Sequence, residues 1–146
     1  MKTARFTFAL LAILAAEGVA ARPDPATFLD RATRAIDTQD FETIEGLRDE
    51  VRPANLPAIV KKWNANLPWA KKDAFIALLM DQMDPIVQPM MKDALNSPTP
   101  ESRAYALCIL KGDFKLLPKW LDKTGFLIPA KVDQAVLEYK KQQNKK

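Results

Sequence analysis

Asp84-Pro85-Ile86-Val87-Gln88-Pro89-Met90-Met91-Lys92-Asp93-Ala94-Leu95 is the stretch that decides the fold. A proline deep inside a helix removes a backbone donor and clashes with the preceding turn, at a cost of about 3 kcal/mol. Pro89 nevertheless lies among helix-forming residues, and the arrangement recurs. Leu56-Pro57-Ala58 precedes it by 32 residues, and Leu117-Pro118-Lys119 follows it by 29. Gly112-Asp113-Phe114-Lys115-Leu116-Leu117-Pro118-Lys119-Trp120-Leu121 is the next copy, and Ala54-Asn55-Leu56-Pro57-Ala58-Ile59-Val60 a fainter earlier one. Three prolines at one period have one explanation. Each repeat is a pair of short helices, and the second helix bends or starts near its proline.

Outward from this stretch the chain reads as all-α. Helices are expected over 25–38, 41–51, 55–65, 69–82, 85–95, 100–111, 114–123 and 129–142. Asp24-Pro25, Asp84-Pro85 and Thr99-Pro100 each place a capping residue before a proline at the first helical position, where the missing N–H costs nothing. Ala104, Leu107 and Cys108 form one stripe of helix 100–111, and Gly112 ends it. Phe75, Leu78 and Leu79 do the same for helix 69–82. No alternating run is long enough for a strand, and linkers of two to five residues favour antiparallel neighbours.

This pattern resembles the short HEAT-like repeat of phycobilisome-lyase-type proteins. Asp84-Pro85 with Pro89 matches that repeat's turn and second helix, Gly112-Asp113 with Pro118 matches nearly as well, and Arg103, Ala104, Ala106 and Leu107 stand in for its Arg/Ala-rich first helix. The resemblance covers residues 54–123. It departs where the first copy lacks the Gly-Asp turn and where Gln88 replaces an apolar residue. It implies a short right-handed solenoid of antiparallel helix pairs, about three repeats long, with helices 25–38 and 129–142 as polar-faced caps. Tetratricopeptide and ankyrin repeats have similar periods, but their signatures are absent, and the chain has no His.

Residues 1–21 read as a signal peptide and residues 22–146 as one domain. Lys2 and Arg5 form a positive start, Phe6 to Ala16 an apolar run of 11 residues, and Val19-Ala20-Ala21 a small-residue cleavage site. The run is too short to span a bilayer. The expected location is therefore periplasmic or secreted. Cys108 is the single cysteine, so no internal disulfide exists, and its apolar surroundings make it a small core residue. The formal charge of +4 becomes +3 without Lys2, Arg5 and Glu17, and −1 once Lys140, Lys141, Lys145 and Lys146 are also set aside. The basic balance belongs to the tail rather than to a folded patch, which argues against nucleic acid.

The residues for common chemistry are missing. Without His, neither a Ser-His-Asp nor a Cys-His site can be built, nor a usual zinc site. The four glycines form no phosphate-binding loop. Glu45 and Asp49, four residues apart on one helix, read as a solvated acidic face rather than a catalytic pair. The chain is expected to be no enzyme and to need no cofactor or metal.

The candidate binding site is Lys61, Lys62, Trp63, Trp69, Lys71 and Lys72, on the turn between helices 55–65 and 69–82. Tryptophan is a favoured interface anchor, and lysine beside it suits an anionic group. The competing reading makes Trp63, Trp69 and Trp120 core residues with solvated lysines around them. The expected function is protein–protein interaction. An anionic envelope polymer or membrane surface bound by the basic tail is the alternative, or a small accessory role to an envelope enzyme.

Overall fold

The computed structural model describes residues 25–146. The first 24 residues, on which the expected signal peptide and the expected Asp24 cap fall, lie outside the described part. The described chain is all-helical. Helix α1 (Pro25–Asp37) buries Phe28, Ala32, Ala35 and Ile36, the i, i+4, i+7, i+8 positions of one stripe. It ends where Gln39 turns left-handed, at φ 55°. Asp40 then caps α2 (Phe41–Leu47): its carboxylate accepts from the Thr43 amide at 3.1 Å and the Thr43 hydroxyl at 2.6 Å. A 3-10 turn, Arg48–Glu50, continues α2.

The recurring prolines receive a single explanation for two of their three sites. A 3-10 turn over Pro53–Asn55 leads into α3 (Leu56–Lys61), and one over Pro85–Val87 leads into α5 (Gln88–Ala94). Pro57 and Pro89 are thus the second residues of their helices, where an N–H has no intrahelical partner to lose. Pro118 differs. It lies inside a 3-10 helix, Phe114–Trp120, rather than in the α-helix expected over 114–123. Asp84 and Asp113 cap these segments alike, accepting from the Ile86 and Lys115 amides at 2.9 Å each.

Helix α4 (Trp69–Leu79) lies at the centre, with α1, α2, α5 and α6 (Pro100–Lys111) packed on it. Ala74, Leu78 and Leu79 are wholly buried there. Helix α6 ends at Gly112, which adopts φ 64°, a left-handed conformation that glycine takes without penalty. The last helix, α7 (Pro129–Asn144), buries Val132 and Val136 and packs on α6 and on the Phe114–Trp120 turn. Arg103 ties the two helices, pairing with Asp133 at 2.8 Å. Between Trp120 and α7 the chain makes a tight hairpin with one antiparallel bridge, Leu121 to Leu127, where the sequence pattern predicts the end of helix 114–123 and a linker.

Cys108 is fully buried, and its thiol is pushed up to about 11, chiefly by loss of solvation and then by the charge of Asp113. At pH 8 a thiol reagent should modify native protein only as fast as the chain opens, and denatured protein rapidly. Equal rates in both states would show that the site is not closed.

Candidate functional site

The six residues singled out on the α3–α4 turn do not form one open basic face. Lys61 and Lys62 are exposed at the end of α3. Trp63 is half-buried and meets Phe75 edge-on, with ring centroids 5.6 Å apart. Trp69 opens α4 and is also half-buried. Lys71 reaches Asp37 of α1 at 3.4 Å. Lys72 is buried, with only 5% of its side chain exposed, and its Nζ lies 2.7 Å from Asp93 Oδ2. The same ammonium sits 4.5 Å from the Trp69 ring and 5.5 Å from that of Trp63. The centre of the cluster is therefore an internal cation, held by one carboxylate and two indole faces. It ties α4 to α5 and leaves Lys61 and Lys62 as the open cations of the group. Glu50, on the 3-10 turn after α2, pairs with Arg31 of α1 through two 3.0 Å bonds. Glu45 and Asp49 are exposed, as a solvated face requires.

A different surface has the form of a site. Residues Asp73, Ile76 and Ala77 of α4 and Met80, its C-cap, lie at i, i+3, i+4 and i+7, one continuous stripe. Opposite them run Glu101, Ser102 and Tyr105 of α6, and Phe41 of α2 closes one end. They enclose an open groove of about 270 Å³ with a largely apolar wall. Phe41 is 49% exposed there. The lining carries two carboxylates, Asp73 and Glu101, and no Lys or Arg. Arg48, which contacts Met80, pairs with Asp81 at 3.5 Å.

Asp73 fixes the rim. One of its oxygens accepts from the Ser97 hydroxyl and the other from the Thr99 hydroxyl, both at 2.7 Å. The Thr99 hydroxyl thus points across to α4 instead of capping α6, as Thr99-Pro100 had led us to expect. Sequence reasoning missed this groove. Its one local signal was that α4 is apolar on more faces than a single core stripe needs.

Among the described residues, no three Cys, Asp or Glu side chains gather as a metal site would need, and no helix is long and apolar enough to cross a membrane. The two carboxylates displaced from their ordinary value of 3.8, Asp40 and Asp122, are displaced downward, each mainly by the hydroxyl of a neighbouring threonine and then by backbone amides. A lowered folded-state value means that their stabilisation is complete above the ordinary value and is lost as pH falls through the folded one. Both groups are exposed, so the loss is modest. In acid titrations followed by circular dichroism, Asp122→Asn should flatten the decline in stability below about pH 4. An unchanged decline would remove Asp122 from the account.

Comparison of the chain with family models, with curated proteins and with solved structures finds no match.

Proposed function

We infer that this chain is a non-enzymatic protein–protein interaction module of the periplasm or the cell exterior, folded as a short right-handed solenoid of HEAT-like helix pairs between two capping helices. The observation that carries the binding reading is the apolar groove between α4 and α6, open to solvent and ended by the half-exposed Phe41. An apolar centre with a polar rim is the ordinary composition of a protein interface. The solenoid reading draws support from packing: α2 lies on α4, α4 on α6 and α6 on α7, in chain order. It also draws on the two turn-plus-proline starts 32 residues apart, Pro53–Pro57 and Pro85–Pro89. The groove then lies on the face shared by the first helices of successive pairs, where solenoids commonly bind. Export rests on residues 1–21 of the sequence.

One observation favours a second reading. Lys141, Lys145 and Lys146 are all exposed at the end of α7, so an anionic polymer or lipid surface is the alternative ligand. Salt separates the two, because attraction between exposed charges is screened while apolar contact is not. Tagged protein is exposed to envelope and secreted fractions of its source and washed at about 150 mM and about 500 mM salt. A protein retained at both and lost with Ala77→Trp, which fills the groove, supports the interaction module. Retention only at low salt, abolished by removing Lys140–Lys146, supports the polymer reading instead.

A further inference from the structure

Phe126 is 72% exposed, the most exposed of the large apolar side chains among the described residues. It stands on a rigid support. Asp122 Oδ1 accepts from the Thr124 amide at 2.8 Å, the Thr124 hydroxyl at 2.6 Å and the Phe126 amide at 3.0 Å. The Asp122 amide returns a 2.7 Å bond to the Phe126 carbonyl, and the Ile128 amide donates to the Trp120 carbonyl at 2.7 Å. Gly125 makes the turn at φ 88°, a conformation other residues rarely take. Trp120, only 7% exposed, roots the hairpin in the core. An aromatic ring held this way loses little entropy when it docks, which is the property of an interface anchor. A loop that served only to connect two helices would not need this network.

The surroundings of the ring are basic. Lys115, Lys119, Lys123 and Lys131 are all exposed on the elements around the hairpin. The carboxylates of the same segment, Asp113 and Asp122, are engaged in capping and turn bonds. A fitting receptor is an apolar pocket with an acidic rim, and the groove between α4 and α6 has that composition. Its walls are Phe41, Ile76, Ala77, Met80 and Tyr105, and its charged groups are Asp73 and Glu101. Its volume of about 270 Å³ exceeds the ~150 Å³ of an apolar cavity that binds benzene. Phe126 is open to solvent in its own chain, so it does not fill its own groove.

We propose that the occupant of the α4–α6 groove is Phe126 from a second copy of this chain, steered by Lys123 and its neighbours toward Glu101. This rests on the reading of the groove as a protein-docking site. The hairpin and the groove share no residue, so the contact is heterologous: each copy has one ring to give and one groove to offer. A contact of this size is weak, so association is expected between about 10 µM and about 1 mM.

The test is sedimentation equilibrium of the full-length chain across that range, with circular dichroism to check the fold of each variant. The average mass should rise with concentration for the wild type. Phe126→Ala, Ala77→Trp and Glu101→Lys should each weaken association about tenfold or more. Mixed in equal amounts, Phe126→Ala and Ala77→Trp should recover association and stop at a one-to-one dimer, because only one ring and one groove remain per pair. A wild type that stays a single chain at about 1 mM would overturn the proposal, as would single variants that still associate or a mixture that does not recover. If Ala77→Trp still loses a captured protein while the wild type remains monomeric, self-docking fails and the interaction module stands. If Phe126→Ala instead abolishes binding to vesicles of anionic phospholipid, with no self-association, the hairpin belongs to a membrane surface and the proposal is wrong.

Discussion

Asp93→Ala is expected to destabilise the fold by about 3 kcal/mol or more, measured by urea denaturation, although Asp93 is a partly exposed residue. The reason is what it leaves behind. Lys72 is buried at 4% exposure, and its ammonium has Asp93 at 2.7 Å as its charged partner. A tryptophan face attracts a desolvated cation by about 2 kcal/mol or more, which only partly offsets the desolvation of an unpaired ammonium. The reverse substitution is milder. Lys72→Met keeps the aliphatic stem packed and leaves a carboxylate whose side chain, 28% exposed, can be reached by water, so its cost should be about 1 kcal/mol. The double variant Lys72→Met/Asp93→Ala should then be more stable than Asp93→Ala alone. A value for Asp93→Ala within about 0.5 kcal/mol of wild type would mean that the pair carries no structural weight.

Leu78→Ala should cost about 3 kcal/mol and lower the melting temperature by roughly 10 °C. Leu78 is wholly buried on α4, the helix on which α1, α2, α5 and α6 all pack. Deleting its side chain removes apolar burial and leaves a cavity that four converging helices cannot easily close. Leu137→Ala is the control. Leu137 is 53% exposed on α7, and its loss should change stability by less than about 0.5 kcal/mol. Similar costs at the two positions would place the core elsewhere than around α4.

The same helix shows what a sequence reveals and what it withholds. Capping and periodicity are local, so they were legible. The starts at Pro100 and Pro129, the stripe of Ala104, Leu107 and Cys108 in α6, and the left-handed stop at Gly112 all lie where the residues placed them, while Pro85 opens a 3-10 turn and its α-helix begins at Gln88. The ends were read too generously: α4 stops at Leu79 rather than residue 82, and α3 at Lys61 rather than residue 65. Lys71 and Lys72 illustrate the harder case. They look alike in the sequence, but one helical step of about 100° turns Lys71 toward Asp37 on the surface and Lys72 between the tryptophans. Which of two adjacent lysines turns inward depends on the partner that α5 supplies, and Asp93 lies 21 residues away.

The groove was illegible for a similar reason. Phe41, Met80 and Tyr105 come from three helices, and only packing brings them together. Asp73 gave no cue that it would anchor Ser97 and Thr99 across the α5–α6 link. The hairpin around Phe126 carried a Thr-Gly turn signal, but its bond network depends on the Asp122 carboxylate folding back on three donors. The site therefore rests on long-range placement, while the helices rest on local chemistry.

The claim that the groove, rather than the lysine-rich turn, is the docking surface can be tested in one parallel capture. Wild-type protein, Ala77→Trp and the double variant Lys61→Glu/Lys62→Glu are each exposed to the same envelope fraction and washed at about 500 mM salt. The wild type and the lysine variant should retain the same protein, and Ala77→Trp, still folded by circular dichroism, should lose it. Retention by Ala77→Trp together with loss from the lysine variant would return the site to the α3–α4 turn.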